Sequence, residues 1–381
     1  MNLIQIITTI ILALFAACLL IQLLYYFLYF RKLAFFKDAG EISVKKAEMP
    51  PVSVIICARN ESKNLKKYLE KVLTQDYPTF EVVVVNDCSW DDTGEYLDRM
   101  ELQHSNLKIV TIKEQVKYRH GKKLALTLGI KAASHEILLL TDADCMPASE
   151  LWLQSMVSSF AGQESHSVDF VLGYGAYQRK WGILSRMIRF DTFYGALQYF
   201  SFALSGTPYM GVGRNLAYRR ELFFKNKGFG IYNHFLSGDD DLFVNMLATP
   251  TNTRIEIRPE TFTLSEPKTT YAEWFRQKSR HISTGKFYKL KHRLMLGTLW
   301  ASHYGIYLLG LLLLLVGFDW RIVVGLFSIR FITQSIVMGY AMKRLKEFDL
   351  VPFIILFDFF ILLFYSILAV NNLFISKHKW K

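Results

Sequence analysis

The sequence predicts an α/β domain with a mostly parallel, Rossmann-like sheet, flanked by transmembrane helices. Three observations lead there. Between residues 50 and about 270, continuous β-branched apolar runs alternate with amphipathic stretches. An uncharged stretch opens the chain at residues 3 to 30 (LIQIITTIILALFAACLLIQLLYYFLYF). Three more apolar stretches close it, at residues 296 to 317, 322 to 341 and 352 to 375.

Residues 1 to 31 read as the first membrane helix, since about 20 apolar residues suffice to span. The basic start of a cleaved signal peptide is absent, and Arg31, Lys32 and Lys37 follow the apolar run instead. Basic flanks stay in the cytoplasm, which puts the N-terminus outside and residue 31 onward inside.

The domain then unfolds element by element. VSVIICA (52 to 58) is a strand that stops at Arg59-Asn60-Glu61, with Asn60 placed to cap the next helix. In that helix Leu65, Tyr68, Leu69, Val72 and Leu73 share one face. EVVVVND (81 to 87) is a second strand, followed by a helix near 92 to 102. LKIVTIK (107 to 113) is a third strand, a helix begins near Gly121, and HEILLLTD (135 to 142) is a fourth strand. Strands apolar on both faces belong to a parallel sheet covered on both sides, and such sheets bind ligands beyond their carboxyl ends. Arg59, Asn60, Glu61, Asn86, Asp87, Asp142 and Asp144 should therefore converge in one cleft. Neither GxGxxG nor GxxxxGK[ST] occurs in this region, which removes the main signature of dinucleotide and P-loop sites.

The formal charge of +12, from 45 Lys and Arg against 33 Asp and Glu, fits nucleic acid, an anionic membrane or phosphate-bearing substrates. No nucleic-acid-binding motif is visible, and the basic residues gather beside the apolar segments, so the membrane is the expected partner and nucleic acid is not. The four cysteines form no CxxC pair, and the nine histidines show no zinc spacing.

The fourth strand ends in LLLTDADCMP, with Asp142 and Asp144 one residue apart. Mg²⁺ or Mn²⁺ takes carboxylate oxygens together with substrate phosphates, which would explain the pairing. A solvated turn opening a helix at Pro147 explains it as readily from the residues alone.

PPVSVIICARNE, VVVVNDCSWDDT, HGKKLALTLGI and LLLTDADCMP together resemble the successive blocks of the family 2 glycosyltransferases, whose fold is GT-A, the nucleotide-diphospho-sugar transferase type. The resemblance covers about residues 50 to 285, and the flanks resemble the integral-membrane branch of that family. It implies a nucleotide-sugar donor, a UDP-sugar before others, with Asp87 on the base and Ala58 and Glu61 lining the nucleoside pocket. It implies that Asp142 and Asp144 hold the divalent metal and the diphosphate, Asp144 being the favoured direct ligand. Lys122 would be a cation near phosphate, or else a lysine of the helix surface. Asn86-Asp87-Cys88-Ser89 stands where the family commonly has Asp-Asp-Gly-Ser.

GVGRNLAYRR (211 to 220) resembles the glycine-rich segment beside the donor sugar, and SGDDDLF (237 to 243) resembles the third acidic motif. Transfer to a hydroxyl needs a base. The resemblance makes that base Asp240, or Asp239 if the register slides by one; a charged helix N-terminus is the plain alternative. Gln277-Lys278-Ser279-Arg280-His281 resembles QxxRW, which places Gln277 at the donor and Arg280 on the leaving diphosphate. His281 replaces the Trp that polymerising members use.

Residues 271 to 294 mix aromatic and basic side chains, which suits a helix lying in the membrane interface. The membrane region 295 to 376 contains about three spans, and Lys343, Arg344 and Lys346 suit a cytoplasmic loop. Three spans would leave the basic tail KHKWK outside; a re-entrant last segment, which Asp358 favours, would not. The expectation is thus a membrane-bound, inverting, metal-dependent transferase in the inner membrane. Its catalytic domain, residues 50 to 270, would be cytoplasmic and its acceptor a lipid or lipid-linked hydroxyl. A processive polysaccharide synthase and a non-catalytic membrane assembly protein on a transferase fold are the alternatives.

Overall fold

The computed structural model describes residues 3–37, 48–113, 121–161, 167–230 and 238–374. His120, Ser237 and the KHKWK tail lie outside them. A helical rod opens the chain: α1 (Leu3–Leu24), a wide π-type turn (Tyr25–Phe30) and α2 (Arg31–Ala34). At the wide turn Tyr25, Tyr26 and Phe30 are buried while Phe27 and Leu28 face outward.

Next come β1 (Val52–Ala58), α3 (Ser62–Leu73), β2 (Phe80–Asp87), α4 (Thr93–Gln103), β3 (Leu107–Ile112), α5 (Lys122–Ala132) and β4 (Ile137–Asp142). This is the alternation that the sequence predicts. β1 pairs in parallel with β2 and β4, and β2 with β3. The period of two divides each strand between two cores: Ile55, Val83, Leu138 and Leu140 on one face, Val54, Ile56, Val82, Val84 and Leu139 on the other. α5 seats closely on the sheet at Gly129, where an added Cβ would lie 2.8 Å from the Ile55 Cγ2. That close seat brings Lys122, at the start of α5, beside the end of β4.

Asn60 does not cap α3. The N-cap is Glu61, and Asn60 adopts φ of 56° while its Oδ1 accepts the Trp90 amide at 3.0 Å. Asparagine tolerates the left-handed region, and here its side chain ties the β2–α4 loop to the end of β1.

The chain continues through β5 (Cys145–Pro147), α6 (Trp152–Val157), β6 (Phe170–Leu172), β7 (Gly175–Tyr177), α7 (Ile183–Leu204), β8 (Leu216–Arg219), α8 (Arg220–Lys225), α9 (Asp241–Leu247), β9 (Thr253–Ile255), β10 (Thr263–Ser265) and α10 (Tyr271–His281). The main sheet has seven strands in the order β3-β2-β1-β4-β8-β6-β9, with β8 antiparallel to its neighbours. A small sheet, β5-β10-β7, stands beside it. Pro147 therefore ends a short strand, and the next helix starts only at Trp152.

A 3-10 turn (Ile282–Phe287) leads into α11 (Leu290–Leu315) and α12 (Trp320–Arg344). A second 3-10 turn (Phe348–Phe353) precedes α13 (Ile354–Phe374). Of the segment 271 to 294, α10 and its turn take most, and the last residues already belong to α11. Among the described residues, four helical stretches are long and apolar enough to cross a membrane: Leu3–Ala34, Leu290–Leu315, Trp320–Arg344 and Phe348–Asn371. Trp274 of α10 stacks on Phe364 of α13 with ring centres 4.2 Å apart. Asp358 is buried, within hydrogen-bond reach of His303, Tyr307, Arg330 and Gln334.

α7 lies between the α/β domain and the membrane helices. Its Arg189 pairs with Glu347 and Asp349, and its Asp191 with Lys278 and Tyr365.

Candidate active site

The register of the sheet sets the site. Ala58 lies across from Asn86, and Cys57 from Asp142, so the polar residues that follow each strand share one edge. Asp87 ends β2, fully buried, with its carboxylate 3.9 Å from the Arg59 guanidinium. Arg59 in turn lies over the exposed Trp90 ring at 5.8 Å. Cys88 has φ of 53°, a backbone that usually selects glycine. It is held there by two bonds from its amide, to the Asn86 and Ile112 carbonyls. The turn that the family builds with glycine thus survives the Cys replacement.

Asp142, Asp144 and Cys145 bring one potential ligand atom each within 4.8 Å of one another. The two carboxylates are held differently. Burial opposes ionisation of Asp142, but Lys122, 2.8 Å away, outweighs it and lowers its pKa. Burial and the Asp142 charge raise the pKa of Asp144. Glu61 faces the same pair: burial first, then Asp144 and Asp142, push its carboxyl up against the bond from Asn64. Two neighbouring carboxylates, of which only Asp142 is ion-paired among the described residues, suit a hard divalent cation, and burial pushes the Cys145 thiol up, which keeps it a poor ligand for such an ion.

Lys122 bridges the acidic motifs. Its Nζ lies 2.8 Å from Asp142 and 3.5 Å from Asp239. Burial would lower its pKa, yet the surrounding acids hold it well above the ordinary value. The structure thus ties Lys122 to the acids at this edge of the sheet. Asp240 Oδ2 accepts the Gly213 amide at 2.7 Å, and its Oδ1 caps α9 through the Asp241 amide at 2.8 Å. Burial, then Asp239 and Asp241, push Asp240 up to about 7. Gly213 has little room: a Cβ there would lie 3.2 Å from Asp240 Oδ2 and 3.5 Å from Lys122 Nζ.

Residues 53–225 match the family described as "Glycosyl transferase family 2". These residues are a glycosyl transferase family 2 domain. The glycosyltransferase AglE of Haloferax volcanii is 38% identical over 127 residues, which are 33% of this chain and 39% of that protein. The 4,4'-diaponeurosporenoate glycosyltransferase of Staphylococcus haemolyticus is 33% identical over 144 residues, 38% of this chain and 37% of that one. The matched stretches thus span about two fifths of these relatives' own length. A mannosyltransferase from Pyrobaculum calidifontis, solved in complex with GDP-Man and Mn²⁺, shares the fold over 97% of this chain and 99% of its own. Its TM-score is 0.62 at 20% sequence identity. The family 2 domain is accordingly a GT-A domain.

The GT-A domain gathers Glu61, Lys122, Asp142, Asp144, Asp239 and Asp240 around one cleft, with Ala58 and Asp87 at the neighbouring strand ends. Gln277 reaches it indirectly, donating to the Tyr177 hydroxyl at 3.3 Å. Arg280 stands half-buried on the last turn of α10, where burial lowers its pKa, next to His281, which burial and the neighbouring cations push down to about 3. The sequence reading passed over Arg214. Its guanidinium stacks on Tyr177 at 4.5 Å, donates to the Gly175 carbonyl at 2.6 Å and acts on both Asp142 and Asp144. Its one mark in the sequence is its place after the two glycines of GVGR, which says nothing of the stack.

Asp241 points away from the cleft. Its Oδ2 accepts the Thr284 hydroxyl at 2.5 Å and the Tyr288 hydroxyl at 2.7 Å. One turn on, Asn245 accepts the Lys289 amide at 2.9 Å and meets His292 Nδ1 at 2.9 Å. α9 is thus fastened at i and i+4 to the start of α11, and its N-terminus carries Asp240. Tyr288→Phe removes one bond to a buried carboxylate and should cost about 1.5–3 kcal/mol. Thermal unfolding in detergent should show the loss, and turnover should fall with the donor KM unchanged.

Proposed function

We propose that the chain is an inverting glycosyltransferase that moves a sugar from a nucleotide-sugar to the hydroxyl of a lipid or lipid-linked acceptor, at the cytoplasmic face of the inner membrane. The observation that carries this reading is the bridge that Lys122 makes between the two acidic motifs, 2.8 Å from Asp142 and 3.5 Å from Asp239, with Asp240 beside Asp239 and pushed up to about 7 by burial and its neighbours. Asp240 takes the acceptor's proton as its oxygen attacks the anomeric carbon. The bond from that carbon to the diphosphate breaks, and its electron pair leaves with the nucleotide. One displacement inverts the centre. Lys122, Arg214 and Arg280 offset the charge of the departing diphosphate. Asp87 and Arg59 meet the base, and Ala58, Glu61 and Gln277 border the donor.

Asp142 and Asp144 would hold a Mg²⁺ or Mn²⁺, which supplies charge neutralisation on the diphosphate. The Pyrobaculum mannosyltransferase, with its GDP-Man and Mn²⁺, supports the donor class and the metal. The staphylococcal relative, named for transfer to diaponeurosporenoate, supports an apolar acceptor, as does the attachment of α9 to the start of a membrane helix.

The reading is tested by incubating membranes that contain the protein with UDP- and GDP-sugars and analysing the lipids by mass spectrometry. One added sugar on a lipid is the expected product; a long polymer would establish a synthase instead, and no product with any donor would overturn the activity. Complete chelation of divalent ions should abolish transfer, and Mn²⁺ or Mg²⁺ should restore it. Transfer that survives chelation removes the metal from the mechanism.

A further inference from the structure

We infer that the turn Phe348–Phe353 and α13 form a re-entrant element, entering the bilayer and leaving it on the side of the GT-A domain, with the outer face of α13 among the acyl chains of that leaflet. α12 returns the chain to the domain, where Glu347 accepts the Tyr174 hydroxyl at 3.2 Å and the Arg189 Nε at 2.9 Å. From there the chain descends beside α12. A Cβ on Gly339 would lie 3.9 Å from Val351, and Asp358 meets Gln334 at 2.6 Å and Arg330 at 2.9 Å.

Beyond Asp358 the partners lie on α11, and they run backwards. Tyr307 bonds Asp358 at 2.8 Å, Tyr304 bonds the Leu362 carbonyl at 2.9 Å, and the Trp300 ring lies 5.0 Å from Tyr365. From 307 to 300 is roughly 10 Å of helix, directed towards the end of α11 that is tied to α9. α13 then closes on the domain again: Tyr365 donates to Asp191 at 2.8 Å, and Asn371 to the Ser279 hydroxyl at 3.3 Å.

A helix of this length, about 31 Å, could cross a core about 30 Å thick. Yet both ends of the element touch the same domain, and between them Phe357 packs on Phe190 of α7 with ring centres 5.2 Å apart. Asp358 sits where the partners pass from α12 to α11, and four side chains compensate a charge that lipid would not accept. Ile355, Leu356, Phe359, Leu363, Ile367 and Val370 are each about half exposed, continuous with the exposed apolar faces of α11 and α12. Acyl chains are the occupant that this continuity requires. The described residues then cross the membrane three times, and α13 ends on the side of Lys343, Arg344 and Lys346, which the positive-inside rule makes cytoplasmic.

The test uses the full chain, with an epitope after Lys381, in sealed vesicles with the GT-A domain outward. Protease should remove the epitope together with the domain; an epitope protected while the domain is digested overturns the inference. Nitroxides on Phe359→Cys, Leu363→Cys and Val370→Cys give a second reading in reconstituted membranes, with the unsubstituted protein and its own four cysteines as the blank. Immersion depth should decrease from 359 to 370 within one leaflet. Depth that increases through the bilayer centre would refute re-entry.

Discussion

Asp240→Asn is expected to cut turnover about a thousand-fold, the scale of a lost general base, while the fold and donor affinity persist. Asparagine keeps one oxygen, enough for the Gly213 amide or for the cap of α9 but not for both, so a melting curve measured beside the rate separates lost proton transfer from lost structure. The pH profile carries the same prediction with a sign. Asp240 ionises near pH 7 because burial and two neighbouring acids oppose its charge. Below that pH it is protonated and cannot accept the acceptor's proton, so kcat/KM should fall as pH drops through about 7. That limb should be absent from the residual activity of the variant. Asp239→Asn is the control: if it abolishes transfer while Asp240→Asn stays active, the base is Asp239.

Asp144→Asn is expected to lower transfer about a hundred-fold at fixed Mn²⁺ and to raise the metal concentration needed for half-maximal rate. Its effect on stability should run the other way. The folded-state pKa of Asp144 is raised above its unfolded value by burial and Asp142, so its ionisation opposes folding at neutral pH. Asparagine removes that opposition, and in chelator the variant should melt no lower than the parent. Added Mn²⁺ should raise the Tm of the parent and leave the variant nearly unmoved. A variant that melts lower in chelator would mean that the carboxylate holds the loop together, and the metal role would fall.

β1, β2 and β4 could be read in the sequence because each is an apolar run buried on both faces, ending at or just before a polar residue at the cleft, whereas β3 is partly exposed. β5, β6, β7, β9 and β10 have three residues each, too few for any period to show. α7 gave no helical stripe because it is buried nearly all round, from Ser185 to Phe202, and a helix without an exposed face has no period to detect. The acids of the site were legible because like charges side by side are costly and so conspicuous. Arg214 was not, since its meaning lies in a stack on Tyr177 formed by a strand 37 positions earlier. Asn60 misled because capping and left-handed turns prefer the same residue type, and only the loop opposite decides between them.

The burial of α7 bears on how such an enzyme can be taken apart. Its buried residues include an arginine and an aspartate whose partners lie in Glu347, Asp349 and Tyr365, beyond the last strand of either sheet. Cutting the chain after α10 would strip Arg189 of both acids, leave Asp191 with Lys278 alone, and bare a long aromatic surface to water. The GT-A domain is therefore no detachable cartridge. Chimeras that exchange the membrane helices for those of a relative should fold only when α7 travels with them, and an isolated domain should be recovered mainly as aggregate. In this chain the unit of inheritance is the domain together with its floor.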